Sequence, residues 1–276
     1  RRKNGELRPD AFAALKAVKC EFEEAPRRMP TRKATPRIVD SLAPFASELI
    51  GGSADLGESN GSRGSTMTGI FPENDYKGNY IHFGVREHFL AAALNGFALY
   101  GSFKAYGSTY LVFSDYMRPA IRLAALMRVP SIFLYSHDSI GVGPDGPTHQ
   151  PVEQLASLRT IPGLRVYRPA DAVEAAECWE LALTETEGPS VIITSRQDSA
   201  PVRTTHTDEN LSERGAYAVK RGDADRAILF SSGTDVAHCL EAAAILDAQG
   251  VGTGVVSVPC LERFLEQDDE YRARVL

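Results

Sequence analysis

Residues 79–100 read NYIHFGVREHFLAAALNGFALY, and this stretch sets the fold class. Tyr80-Ile81-His82-Phe83 is a short apolar run of strand length. Past Gly84, the residues Phe89, Leu90, Ala93, Leu94 and Phe97 follow the 3.6-residue period of a helix. A strand feeding an amphipathic helix through a tight loop is the unit of a parallel α/β sheet. The unit recurs along the chain. Leu49-Ile50-Gly51-Gly52 follows a helix carrying Ile38, Val39 and Leu42, and Ser131 to Tyr135 (SIFLY) follows a helix expected from about Tyr110 to Met127. Leu164 to Tyr167 precedes a helix expected over Ala172 to Leu183, and Val191 to Thr194 (VIIT) closes the series. Strands alternating with helices in this way predict an α/β domain, a mostly parallel sheet with helices on both faces.

Outward from this core the pattern changes. Residues 1–30 read as a linker holding a short helix, with Phe12, Leu15, Val18 and Phe22 on one face before Pro26 and Pro30. Residues 31–200 are the main domain, and 201–214 lie in a polar tract, Asp198 to Arg214, that reads as a second linker. Residues 215–276 form a smaller, incomplete α/β domain: strand over Ala227–Phe230, helix over Asp235–Ala248, strand over Gly254–Val258. Thr234 is the expected cap of that helix and Gly250 its stop. The start at Arg1 and the break at Tyr271 to Leu276 lead us to expect a fragment, or one polypeptide of a split enzyme.

Composition removes several classes. The chain has 276 residues, 43% hydrophobic, enough for a real core. Lys+Arg 30 against Asp+Glu 36 gives a net charge of −6 with no strongly basic half, so a general nucleic-acid binder is excluded. No apolar run approaches the roughly 18–20 residues of a membrane span. Arg1 to Cys20 is charged and broken by Gly5 and Pro9, unlike a secretory signal. Cys20, Cys178, Cys239 and Cys260 are scattered without a CxxC pair, so neither a disulfide scaffold nor a zinc knuckle is expected. A cytoplasmic location with no membrane partner is the expectation.

The residues suited to chemistry fall in the loops after the strands, where α/β sheets bind ligands. In GGSADLGESN, Gly51 to Asn60, the residues Ser53, Asp55 and Ser59 either face a polar ligand or cap an ordinary turn. Glu87 falls in the first turn of an apolar helix. The helix dipole alone accounts for a carboxylate there; partial burial would instead raise its proton affinity and fit it to share a proton with a ring nitrogen. Tyr110, Phe113 and Tyr116 recur at i, i+3 and i+6, as core or as a stacking platform for a planar heterocycle. His137 to Glu153 (HDSIGVGPDGPTHQPVE) is too polar for a strand and too rich in Gly and Pro for a helix. Long ordered loops of this kind are usually functional. Its His137, His149, Asp138, Asp145 and Glu153 match no common zinc spacing and suit a polyhydroxylated substrate better, so no metal ligand is expected among them. Arg32 and Arg196, beside apolar segments, are phosphate forks or plain surface arginines.

Taken in order, TRKAT, ELIGGSADL with the following SN, NYIHFGVRE, the aromatics to Tyr116, SHDSIGVGPDGPTHQPVEQ, RPAD and SRQ resemble the transketolase family over nearly the whole chain from Thr31. The resemblance implies a thiamine-diphosphate enzyme that moves a two-carbon ketol unit from a ketose phosphate to an aldose phosphate. Residues 31–200 then correspond to the pyrimidine-binding domain and 215–276 to the front of the C-terminal domain. Glu87 would hold the N1′ nitrogen of the aminopyrimidine. Tyr110, Phe113 and Tyr116 would surround that ring, with Asp55 the cofactor-proximal acid. Tyr110 stands where relatives often carry Phe, so its hydroxyl needs a partner. His149 and Asp145 would contact substrate hydroxyls, His149 with a catalytic part, and Arg32, Ser59, His137 and Arg196 would hold the substrate phosphate.

One departure is large. Such enzymes anchor the diphosphate and Mg²⁺ through a GDG motif with a later Asn; here Gly222-Asp223-Ala224 is the nearest string and no Asn follows Asn210. The resemblance therefore implies half a site, completed by a diphosphate-binding N-terminal domain or subunit that carries the Mg²⁺ ligands, in a homodimer or heterotetramer. Dihydroxyacetone synthase and deoxyxylulose-phosphate synthase are neighbouring readings; HQPVEQ and the paired arginines disfavour the second. A non-catalytic scaffold subunit is the alternative from another class, and the joint presence of Glu87, His137 and His149 counts against it.

Overall fold

A computed structural model of the chain describes residues 8–69, 77–222 and 226–276. Gly5 of the expected linker and Asp223-Ala224 of the GDG-like string lie outside the described residues. In chain order the first body comprises α1 (Pro9–Glu24), β1 (Met29–Pro30), α2 (Ala34–Leu42), β2 (Leu49–Ser53), α3 (Gly57–Asn60), β3 (Tyr80–His82), α4 (Glu87–Tyr100) and β4 (Lys104–Tyr110). It continues through α5 (Ser114–Met127), β5 (Ile132–Ser136), α6 (Gln154–Arg159), β6 (Arg165–Tyr167), α7 (Ala172–Thr184), β7 (Ser190–Ile193) and β8 (Asp198–Ser199). The second body holds β9 (Tyr217–Lys220), β10 (Ala227–Ser231), α8 (Asp235–Ala248), β11 (Thr253–Ser257), α9 (Leu261–Leu265) and α10 (Asp269–Val275).

The main sheet has six parallel strands in the order β3-β2-β4-β5-β7-β6. From β2 the chain steps outward to β3, then crosses back to the other side of β2 as β4. The loops after β2 and β4 therefore diverge and leave a crevice at the carboxyl end of the sheet. Period-two alternation on β5 sends Ile132 and Leu134 to one face and Phe133 and Tyr135 to the other. On the first face Leu15, Val18, Ile38, Leu42 and Trp179 of α1, α2 and α7 pack on Tyr106. Trp179 meets the Tyr106 ring edge-on at 5.1 Å, and its indole N–H donates to Thr35 Oγ1 at 3.3 Å, so the largest core side chain buries no orphan donor. On the second face Leu90 and Leu94 of α4 and Met117 and Ile121 of α5 cover the sheet.

The parallel α/β class is as expected, but three local readings change. The stretch read as a linker contains a sixteen-residue helix packed into the core, with Ala11, Leu15, Val18 and Phe22 buried. Strand β4 stands where only the approach to a helix was expected; α5 begins at Ser114, and Tyr110 ends a strand paired with Ser136. Thr234 precedes α8 but makes no side-chain cap, whereas Gly250 takes the left-handed φ of 79° expected of a stop.

In the second body β10 and β11 are parallel and β9 is antiparallel to β11. Polar groups, most of them buried, join the bodies. Arg168 pairs with Asp138 at 2.8 Å on one side and with Asp235 at 2.9 Å on the other. Glu174 accepts from Tyr217 Oη at 2.7 Å and Ser257 Oγ at 2.5 Å. Among the described residues, no helix is long and apolar enough to cross a membrane.

Candidate functional site

Asp55 and Ser59 follow β2, Glu87 follows β3, and Tyr110 ends β4 with Phe113 and Tyr116 beyond it. His137, Asp145 and His149 follow β5, and Arg196 follows β7. Parallel strands thus deliver these side chains to one edge of the sheet. Arg32 arrives differently: β1 pairs antiparallel with β8, Ser195 N donates to Thr31 Oγ1 at 2.7 Å, and Thr31 N donates to Ser195 Oγ at 3.0 Å. This stitch sets Arg32 beside Arg196.

A cavity of about 730 Å³ opens at the crevice, lined by Arg32, Ser53, Asp55, Ser59, Tyr110, His137, Asp145 and Arg196 among others. The guanidinium groups of Arg32 and Arg196 repel, and burial first and Arg196 second lower the proton affinity of Arg32. Arg32 Nη1 donates to Ser59 O, while its buried Nε has no hydrogen-bond partner. A buried donor left open beside a second arginine fits an anion. Gly143 makes room for this pair: at φ 97° its absent Cβ would lie 2.9 Å from Arg196 Nη1. Gly51 and Gly52 make room for rings of the protein, Tyr106 and Phe83, at 2.5 and 2.4 Å from where a Cβ would stand.

His137 is buried and strained, with φ 61°, and Asp55 shares the left-handed conformation at φ 67°. Such backbone persists only where its surroundings over-determine it. Here they do: Ser136 Oγ donates to Asn60 Oδ1 at 2.7 Å, and Asn60 Nδ2 donates to Ser108 Oγ at 3.2 Å. With its proton committed, the Ser136 oxygen accepts from His137 Nδ1 at 2.8 Å. The network assigns the proton to Nδ1 and leaves Nε2 as a free acceptor. Burial, then the charges of Arg32 and Arg196, lower the His137 pKa to about 4. The imidazole is neutral at physiological pH.

Aromatic rings form the adjoining wall. Tyr110 lies parallel to Phe113 at 6.0 Å and 5°, and Phe113 is tilted against Tyr116 at 6.2 Å. His149 stands edge-on to Tyr110 at 5.9 Å and to Phe113 at 5.2 Å. The three rings are carried by a strand end, a 3-10 turn (Leu111–Phe113) and the first turn of α5, the approach to the helix and its start. The rings come together by that route, and Tyr116 remains 64% exposed.

Glu87 is 8% exposed at the first position of α4. Its charge raises the proton affinity of the Tyr135 phenol beneath it, after the larger effect of burial. Among the described residues its carboxylate makes no hydrogen bond or ion pair. Glu87, Phe113, Tyr116 and His149 stand outside the lining of the cavity itself. Arg63, Tyr80 and His82 line it without having been expected. Their signal was weak: Arg63 sits in a polar turn, and His82 was read only as part of a strand. Asp138, grouped with the substrate loop in sequence, turns away to Arg168 at 2.8 Å.

The family model described as the transketolase pyrimidine-binding domain matches residues 27–201, and that for the transketolase-like C-terminal domain matches 215–276. A transketolase of Cereibacter sphaeroides is 50% identical over 271 residues, which is 97% of this chain and 40% of that protein. The chain thus spans well under half of that relative. A transketolase of Pichia stipitis solved in complex with xylulose 5-phosphate superposes with a TM-score of 0.91 at 35% identity, covering 99% of this chain and 40% of that one. A split-gene transketolase, solved as an inactive β4 tetramer, superposes with a TM-score of 0.68 at 25% identity, over 85% of this chain and 73% of that one.

Proposed function

Because the chain belongs to the transketolase family, we propose that it supplies the pyrimidine-side half of a thiamine-diphosphate ketol-transfer site. The observation that carries the proposal is the convergence at one sheet edge of a buried residue, Glu87, whose carboxylate has no partner among the described residues, an aromatic wall and the Arg32–Arg196 anion cradle. These residues fit the group the family uses. Tyr110, Phe113 and Tyr116 would bracket its planar ring, and Glu87 would hold a ring nitrogen. When bound, the cofactor supplies a carbon nucleophile that carries a two-carbon unit.

The chain's own residues do the rest. Glu87, with no hydrogen-bond or ion-pair partner among the described residues, would share a proton with the ring nitrogen and so set the ring's tautomer. Neutral His137 offers Nε2 to a substrate hydroxyl or a protonated phosphate oxygen. His149 and Asp145 take further hydroxyls of a sugar phosphate. Arg32 and Arg196, with Ser59, fix the phosphate and thereby the reach of the substrate into the crevice.

The diphosphate and Mg²⁺ are assigned to a separate N-terminal domain or subunit, since no GDG occurs in the sequence. An exposed apolar surface supports such a partner: Val85 76%, Phe89 59%, Leu99 63%, Tyr116 64%, Leu123 49% and Leu126 69% exposed, on α4, α5 and the loop before α4. Beside it, a cavity of about 770 Å³ is lined by Ile81, Phe83, Phe89, Phe97 and Phe103. The split-gene relative is the precedent for a two-polypeptide arrangement. Calorimetric titration of thiamine diphosphate with Mg²⁺ tests the division of labour. Binding is expected only when a GDG-bearing half is mixed in; tight binding to this chain alone would overturn it.

A further inference from the structure

Away from the cavity, α1 and the segment after β8 bring Cys20, Glu23 and His206 together, with one ligand atom from each all within 4.8 Å of one another. His206 Nδ1 lies 2.5 Å from Glu23 Oε2 and 3.8 Å from Cys20 Sγ. On the other side of the ring, His206 Nε2 is 3.6 Å from Asp208 Oδ1. The Glu23 side chain is 1% exposed, and its second oxygen, Oε1, is buried without a hydrogen bond, 3.7 Å from Arg203 Nη2. A simple Glu23–His206 pair would not need the thiol beside it.

We propose that Cys20, Glu23 and His206 form a Zn²⁺ site, with Asp208 as the outer partner that orients the imidazole. Thiolate, imidazole and carboxylate are a borderline-soft set, suited to Zn²⁺ and unlike the all-oxygen ligation Mg²⁺ prefers. Tetrahedral bonds of about 2.3 Å to sulfur and about 2.0 Å to nitrogen or oxygen separate the ligand atoms of this set by roughly 3.3–3.5 Å. The sulfur and Nδ1, at 3.8 Å, have to close by about 0.3 Å, and Glu23 Oε2, at 2.5 Å, has to draw back from Nδ1 by about 0.8 Å. A water completes the fourth position. On binding, the Cys20 thiol proton and the proton shared by His206 and Glu23 pass to solvent. Asp208 Oδ1, 3.6 Å from Nε2, has to close by about 0.7 Å to accept the Nε2 proton and so direct the Nδ1 lone pair at the metal.

The neighbouring cations do not block the site. Glu177 pairs with Lys19 at 2.9 Å and with Arg203 at 3.3 Å. Lys19 Nζ also donates to the carbonyls of Thr207 at 2.8 Å and Glu209 at 2.6 Å, which holds the connector against α1. Arg203 also stands 3.7 Å from Glu23 Oε1, on the far side of that carboxylate from His206, so Glu23 Oε2, Asp208 and the thiolate face the ion. The metal would clip α1 to the connector across 186 residues of chain, a long closure the unfolded state lacks.

The test strips the full chain with a chelator, then titrates Zn²⁺ against a chromophoric competitor and records the absorption of the Co²⁺ form. One equivalent, a thiolate-to-cobalt charge-transfer band in the near ultraviolet and a rise in Tm are expected. Cys20→Ser should remove the band and weaken Zn²⁺ binding more than Asp208→Asn, which should cost about tenfold. Cys239→Ser should change neither, and circular dichroism verifies that each variant is folded. No binding, or a band and affinity that survive Cys20→Ser in a folded protein, would overturn the site.

Discussion

The imidazole of His137 lies against the phenol ring of Tyr110, with centroids 3.7 Å apart and planes 24° from parallel. This contact joins the anion side of the crevice to its aromatic wall, because Tyr110 also stacks on Phe113. It also seals His137 from water, and that burial is the first cause of its low pKa, ahead of Arg32 and Arg196.

His137 should therefore titrate near 4 in the folded chain when its ring resonances are followed by NMR. The folded value is depressed from 6.5, so the unfolded state binds more protons between about 4 and 6.5. Stability from this group is complete above that window and is lost as pH falls through it. Replacing Arg32 or Arg196 with Gln should move the titration upward, and an unchanged value would contradict the assigned cause.

Arg196→Ala should raise KM for phosphorylated acceptors about tenfold to a hundredfold in the reconstituted enzyme, the worth of a charge-assisted hydrogen bond of about 1.5–3 kcal/mol. The kcat should change little. An equal loss with unphosphorylated sugars would count against a phosphate role.

Arg168→Ala should destabilise the chain by about 3–5 kcal/mol, because it strands the buried Asp138 carboxylate and cuts the tie to Ser232 and Asp235. Urea unfolding measures the change. A loss under about 1 kcal/mol would mean that the bodies are joined by apolar packing instead.

Glu174 links the same bodies, and burial first, then the charge of Asp171, push its pKa up to about 7. Here the folded state binds the extra proton, so this group's contribution falls as pH rises from about 4.5 to 7. The stability difference between Glu174→Gln and the parent should accordingly shift in the variant's favour over that window. A pH-independent difference would sink the assignment.

Much of this was legible in the sequence because periodicity reports burial. The α4 stripe of Leu90 and Leu94 and the SIFLY alternation mark the two sheet faces. Strand β4 was not legible. KAYGSTY, residues 104–110, mixes Lys, Gly and Ser into a fully buried strand, and Gly107 is there because a Cβ would meet Leu90 at 2.4 Å. Glu87, His137 and Arg196 could be singled out by residue type and loop position. The stitch that seats Arg32, Thr31 against Ser195, spans 164 residues and leaves no local signal. Arg168 and Asp171 of RPAD bear on structure: Asp171 accepts from Glu174 N at 3.0 Å and from Val202 N and Arg203 N at 2.8 Å, which only the fold reveals.

The most direct test of the proposed half-site is ketol transfer from xylulose 5-phosphate by this chain mixed with a GDG-bearing half, thiamine diphosphate and Mg²⁺. The mixture should transfer the two-carbon unit, and neither half should do so alone. Glu87→Gln should abolish the transfer while leaving the circular dichroism spectrum unchanged. Near-parental transfer by the Glu87→Gln mixture would contradict the account.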